Sequence, residues 1–369
     1  MSTTMFRALP RRTLLTGLIG ITAALAACGE KPASAPAAKL PETVTIAAIS
    51  YTYQGKPTFN GLSQVVINQG WLEGELKKKG VALNWLPVPT SVGGPLINEG
   101  FAAKRIDFAG YGDFPALIAK SGGVDIRAIT SSGQGNNAYL IVRKGLEAKS
   151  IEDLKGKSLA IHRGRPWELT LAKLLDSKGL KLTDFKIYNL NPQAAYSALA
   201  AGKVDAVFTL SEAILQEDKG AGTIIWSTKS NPEWKMRTGL FARTEFTTQN
   251  PELTQLVVNA YIKAAHWASQ PENRAAFLEL ASRGNNPTSV LERDYANEGG
   301  DWNDHFSPII DQGFINHFDD VSKYTFENKL VQKEVASRDF IDPTFVNQGI
   351  DELGLTGFWK ETPVTGPVQ

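Results

Sequence analysis

Along this chain, short runs of apolar and β-branched residues alternate with longer stretches whose apolar positions recur every three or four residues. Those two periods mark buried strands and amphipathic helices respectively. Residues 43–49, 81–88, 106–109 and 126–130 predict strands, with helices over 62–79, 94–103 and the segment after Asp113. A second series opens with a strand at 138–142. It continues with strands at 158–161, 185–188 and 204–209 and helices over 166–178 and 193–201. Such alternation makes an α/β fold with mainly parallel sheets flanked by helices. Beyond Leu240 the pattern turns helical, most clearly over 251–269 and 271–282.

One echo ties the two series together. Ala102-Ala103-Lys104-Arg105-Ile106-Asp107-Phe108 resembles Ala200-Ala201-Gly202-Lys203-Val204-Asp205-Ala206. Each reads as a helix end, a basic turn and a strand that opens on a β-branched residue followed by aspartate. The match falls at the same place in both series, which predicts two lobes built alike.

Composition narrows the picture. The 369 residues, 42% hydrophobic and 21% charged, are those of an ordinary globular protein, and roughly 150 residues per domain suggests two units. A balance of 39 basic against 38 acidic residues gives no support for capture of a nucleic-acid backbone. A single cysteine excludes intrachain disulfides and multi-cysteine metal sites.

That cysteine sits in an informative place. Arg11-Arg12 precede an uncharged, largely apolar stretch over 13–27 that ends Leu25-Ala26-Ala27-Cys28. It falls short of the roughly 20 apolar residues of a permanent span and has the shape of a secretory signal. Its end resembles the lipobox of bacterial lipoproteins, which implies that Cys28 is acylated and becomes the mature N-terminus. Arg11-Arg12-Thr13-Leu14-Leu15 partly resembles a twin-arginine export signal, from which Pro10 departs. Residues 30–41 are rich in alanine and proline and read as a semi-rigid tether. The expected organisation is a signal over 1–27, a lipid-anchored linker over 28–41 and a first lobe over 42–138. A second lobe follows over 139–240, and 241–369 returns to the first lobe. Removing the signal takes three arginines from a +1 balance and leaves −2.

Four motifs carry a family resemblance. Ile106-Asp107-Phe108-Ala109-Gly110-Tyr111-Gly112-Asp113-Phe114-Pro115 resembles the marker region of the sulfonate/taurine/nitrate solute-binding proteins of ABC importers. Ser150-Ile151-Glu152-Asp153-Leu154-Lys155-Gly156-Lys157-Ser158-Leu159-Ala160, Leu199 to Ala206 and Phe326-Glu327-Asn328-Lys329-Leu330-Val331 follow in the same order. The resemblance implies a two-lobed periplasmic binding protein of type II, with ligand in the interlobe cleft and hinge strands near 139–143 and 239–243. It implies no enzymatic activity and no cofactor. The implied partners are a small organic anion and an ABC permease with its ATPase in the inner membrane, served by a monomer held at the membrane by lipid.

A sulfonate accepts hydrogen bonds and donates none, which suits helix N-termini and guanidinium groups. Gly112-Asp113-Phe114-Pro115 predicts one such terminus, with Asp113 as the cap turned onto the backbone and N–H groups left for ligand. His162-Arg163-Gly164-Arg165-Pro166-Trp167-Glu168 predicts the other, with Pro166 in the first turn and Arg165 facing the cleft. Trp167 either covers the ligand's tail or packs in the core. Arg163 either contacts ligand or pairs with a carboxylate such as Glu168 or Glu212. His162 reads as a strand-end residue without a ligand role. Strand ends add Ser50, Tyr51, Tyr53, Ser131, Ser132, Thr209 and Glu212 as candidates, with Gly164 in the second turn.

The family's usual small polar turn is replaced here by Arg165-Pro166-Trp167, and the usual tryptophan near Thr209 is missing, so the organic tail stays open. The alternatives are nitrate, a thiamine-precursor pyrimidine, an aromatic carboxylate, or a ligand-sensing lipoprotein. Against an enzyme, the four histidines lack His-Glu-x-x-His spacing, and Gly-x-Ser-x-Gly and P-loop patterns are absent. Asp301-Trp302-Asn303-Asp304-His305 reads as a solvated turn.

Overall fold

The structure, a computed structural model, describes residues 40–284, 286–296 and 301–361. Cys28 and the signal lie outside them. In chain order the strands are β1 (Thr43–Tyr53), β2 (Lys56–Phe59), β3 (Ala82–Pro89), β4 (Phe108–Gly112), β5 (Ile126–Ser131) and β6 (Tyr139–Arg143). They continue with β7 (Ser158–Ile161), β8 (Lys186–Asn189), β9 (Ala206–Thr209), β10 (Gly222–Ser227) and β11 (Thr238–Arg243). The helices are α1 (Gly61–Gln69), α2 (Trp71–Lys78), α3 (Gly94–Ala102), α4 (Asp113–Ser121), α5 (Trp167–Ser177), α6 (Pro192–Ala200) and α7 (Glu212–Asp218). After β11 come α8 (Thr244–Gln249), α9 (Pro251–Ser269), α10 (Arg274–Ala281), α11 (Thr288–Tyr295), α12 (Gln312–Glu327) and α13 (Thr344–Glu352).

Two sheets organise these elements. The first runs β2-β1-β4-β11-β5 with β3 on β1, and the second runs β10-β6-β9-β7-β8. The strands wound by helices are parallel: β3 and β4 on β1, β8 and β9 on β7. Where the chain returns, pairing is antiparallel. β11 inserts between β4 and β5, and β6 lies between β9 and β10. Both sheets thus combine parallel winding with antiparallel return strands.

Each sheet is covered by apolar side chains of the predicted period. Ile46, Phe108, Ile126, Phe241, Val257 and Phe318 belong to the first core. Leu140, Leu159, Leu171 and Phe208 pack on one face of the second sheet, and Ile141, Tyr196 and Val207 on the other. Val290 of α11 joins that last group, so this late helix packs on the second sheet. The helix expected over 62–79 is two helices. Gly70 takes a left-handed φ of 63°, closing α1 and letting Trp71 start α2. The segment around Trp302 is a short 3-10 helix rather than a solvated turn. Trp302 donates to the Ala268 carbonyl, and its ring stacks on His305 beside Phe277 and Phe306.

The two echoed aspartates perform the same task. Asp107 donates its N–H to the Thr45 carbonyl, and its carboxylate accepts the Thr45 N–H at 2.9 Å and Arg243 Nη2 at 2.7 Å. Its carbonyl accepts the Arg243 N–H. Asp205 makes the same set of bonds with Ser158 and Arg143, the guanidinium here donating through Nε. Thus one aspartate registers three neighbouring strands in each lobe.

The chain crosses between sheets over residues 132–138 and 228–237. The crossings run side by side, joined by Ser132 N–H to the Thr238 carbonyl and Asn136 N–H to the Met236 carbonyl. The segments expected as the hinge, 139–143 and 239–243, are fully paired within β6 and β11, and the crossings between the sheets precede them in the chain.

Burial raises the Asp205 carboxyl, but the Ser158 N–H and hydroxyl and the Arg143 guanidinium overcome this and bring it to about 2. A depressed folded-state value stabilises above the unfolded range near 4 and is lost as pH falls toward 2. Asp205→Asn is expected to cost about 2 kcal/mol at pH 7. Urea unfolding should show its deficit shrinking between pH 5 and pH 2; a pH-independent deficit would contradict the charge argument.

Candidate functional site

Two helix starts, one from each lobe, meet across the gap. Gly112 ends β4 and caps α4, and a Cβ placed there would lie 2.5 Å from Pro166 Cγ at the start of α5. The lobes thus touch through a glycine and a proline ring. Gly94 brings the start of α3 equally close to Pro115 of α4.

On the first-lobe side, Asp113 is the first helical residue rather than the cap. Its carboxylate accepts the Phe114 and Arg237 N–H groups and bonds His317 Nε2, and its own N–H goes to the Arg237 carbonyl. Pro115 has no N–H. The expectation that this turn leaves backbone donors for a ligand is corrected: Asp113 turns onto the backbone as expected, but its helix start is occupied by the crossing segment.

On the second-lobe side, Arg163 and Gly164 are spent locally. Glu168, 1% exposed, accepts Arg163 Nε at 2.6 Å and the Gly164 N–H at 2.6 Å. Gly164 permits this turn with a φ of 72°. The carboxylate pairing considered for Arg163 is the one the structure shows. Trp167 is 8% exposed and packs in the second core beside the His162 ring, yet its Nε1–H has no hydrogen-bond partner among the described residues. Burial and then the nearby Arg165 charge push the His162 imidazole down, favouring its neutral form.

Arg165 differs from its neighbours. Half-buried, it reaches across the gap and donates Nη2 to the Val92 carbonyl at 3.1 Å. A Cβ on Gly93 would sit 2.2 Å from its Nη1, so glycine there clears its path. Burial alone pulls its pKa down, and no carboxylate among the described residues pairs with it.

A second group also links the lobes. Tyr51, at the end of β1, lies close enough to Glu212 of α7 that burial and then this carboxylate push its phenol up. Tyr196 is raised by burial, Glu212 and Tyr51, while its hydroxyl bonds Thr209 Oγ1 at 2.6 Å. Asn286 Nδ2 donates to the Ser211 hydroxyl beside Glu212. The structure therefore brings Tyr51, Thr209 and Glu212 together and adds Tyr196, which the helical period had hidden on an apolar face. Ser50 is buried in β1, whereas Tyr53 is 42% exposed at the hairpin turn. Ser131 ends β5 and Ser132 opens the first crossing. The Ser131 hydroxyl bonds Gly133, and the Ser132 N–H bonds the Thr238 carbonyl.

Comparisons with known proteins agree with this architecture. The family model described as NMT1/THI5 like matches residues 77–274. A protein of Bacillus subtilis (strain 168) named for binding aliphatic sulfonates is 25% identical over 343 residues, spanning 92% of this chain and 97% of that protein. The solved periplasmic sulfonate-binding protein SsuA from Methylobacillus flagellatus KT is 40% identical, with a TM-score of 0.80 over 89% of this chain and 98% of that one. The desulfurization enzyme DszB, solved with biphenyl-2-sulfinic acid, shares the fold at 14% identity and a TM-score of 0.66, covering 85% of this chain and all of that one.

Gly112→Ala tests the contact between helix starts. Its φ of −80° suits any residue, so the added methyl acts only against Pro166. Small-angle scattering should show a larger radius of gyration than wild type; an identical profile would mean that the contact does not set the lobe separation.

Proposed function

The chain belongs to the NMT1/THI5-like family, and from that premise we propose that it captures a sulfonate or sulfate ester between its lobes and delivers it to an ABC permease. The observation that carries this reading is Arg165, a half-buried cation that spans the gap and is bonded to a neutral carbonyl. A guanidinium removed from water gains most from an anion with several acceptor oxygens, and its planar fork matches an oxo group in two places. A sulfonate supplies such oxygens and no donors of its own. The Trp167 Nε1–H is a further donor beside the same helix start, without a partner among the described residues.

Capture and release involve no bond making. The buried Asp113–His317 pair is engaged with the crossing segment, and this reading gives it no part in a reaction. Delivery places the protein outside the cytoplasm, with Cys28 as the acylated anchor and the alanine- and proline-rich stretch as its tether. Among the described residues no helix is long and apolar enough to cross a membrane, so this proposal assigns anchoring to the lipid.

A thermal-shift panel of ethanesulfonate, taurine, benzenesulfonate, a sulfate ester, nitrate and an aminopyrimidine tests the ligand class, since a ligand that binds only the folded state raises its stability. Stabilisation by sulfonates is expected; stabilisation by the pyrimidine alone would refute the anion reading. Arg165→Ala should weaken sulfonate binding by about tenfold or more, on the order of 1.4 kcal/mol, in calorimetric titration. An unchanged Kd would remove Arg165 from the site. Labelling cells with a radioactive fatty acid should mark the wild type and not Cys28→Ser; an unlabelled wild type would end the anchor proposal.

A further inference from the structure

We infer that His317 is a positioning residue for lobe closure, acting through Asp113 to fix both crossing segments to the first lobe. The inference does not depend on which ligand the cleft takes. Asp113, 1% exposed, is a carboxylate removed from water and must be met by donors on every side. Its Oδ2 receives the Arg237 N–H at 2.9 Å together with His317 Nε2, and its N–H returns to the Arg237 carbonyl at 3.2 Å. The Arg237 side chain, in a residue 7% exposed, then donates Nη1 to the Gly133 carbonyl at 3.0 Å on the other crossing. One carboxylate thereby joins α4, α12 and both connections between the lobes.

The histidine is dedicated to this bond. His317 is 8% exposed on α12, and its Nδ1 has no hydrogen-bond partner among the described residues. The ring's Nε2 bonds Asp113, 204 positions away in sequence. Just past the junction, partners change lobe. The Ala138 N–H goes to the Thr228 hydroxyl, which donates to Asn137 Oδ1, and Asn137 Nδ2 reaches Asp294 of α11. Bending is therefore confined between the ribbon clamped at Asn136 and Met236 and the second-lobe network that starts at Asn137. Gly135, with φ 102° and a Cβ site 2.6 Å from the Met236 carbonyl, lets the two crossings lie this close. Loss of the His317 bond leaves Asp113 with one fewer donor, loosens the Arg237 backbone and lets the ribbon move against the first lobe.

The test uses the full chain carrying Cys28→Ser, with spin labels on Lys77→Cys in α2 and Lys186→Cys in β8. Interlobe distances are read by pulsed electron resonance without ligand. His317→Ala is expected to roughly double the width of the distance distribution, as a loosened hinge would. His317→Gln, whose amide N–H also donates to a carboxylate, should restore the wild-type width. A His317→Ala protein with lowered melting temperature but wild-type width would overturn the inference, as would a His317→Gln width equal to that of alanine. Asp113→Asn provides the same reading if the alanine variant does not fold: broadening supports the role, and an unchanged width refutes it. Because no ligand is added, failure of the sulfonate proposal leaves this result intact, and the reverse also holds.

Discussion

Each lobe is registered by one aspartate that answers to three strands at once. Asp107 holds the start of β4 against β1 and β11, and Asp205 holds the start of β9 against β7 and β6. Fixing where these strands begin also fixes where they end. β4 ends at Gly112 and starts α4, while β9 ends at Thr209, just before α7. The residues that meet between the lobes lie at those carboxyl ends, the usual place for a binding crevice in α/β folds. The clamp lies at the opposite end of each strand, so it sets the site without touching it.

Polar chemistry is distributed unevenly around the gap. The crossing segments are anchored by buried polar side chains, with Asp113, Arg237 and His317 all less than a tenth exposed. Among the described residues, the facing helix starts meet through apolar atoms and a bond from Arg165 to the Val92 carbonyl. A buried hydrogen-bonded node is costly to disturb, whereas one half-exposed hydrogen bond contributes about 1 kcal/mol. Stiffness therefore sits at the hinge, and adaptability at the mouth.

Much of this scaffold was legible in the residue order. The strand periods, the helix starts at proline and the echoed aspartates all place local chemistry at local positions. The division of 62–79 at Gly70 was not legible, because the apolar period continues through that glycine. The sheets proved mixed because the antiparallel partners β10 and β11 are set by where the chain returns, which no local pattern records. In the candidate site, the Arg163–Glu168 pair lies within five residues and could be weighed from sequence. The partners of Asp113 lie 124 and 204 residues away, so an acid at a helix start looked like a cleft residue when its carboxylate is bonded to a crossing segment and to α12. Tyr196 looked like one more apolar position of a helix until the fold set its hydroxyl on Thr209.

The meeting of Gly112 and Pro166 has a kinetic consequence. A proline ring resting on a glycine has no N–H to release and no long side chain to reorient when the two separate. Parting them re-wets a few apolar atoms, on the order of 1 kcal/mol. The contact limits how near the lobes come without acting as an adhesive. Separating the two therefore adds little of its own to the barrier for opening, to which the Lys173–Asp320 ion pair and the packing of Leu169 of α5 in the first core also contribute.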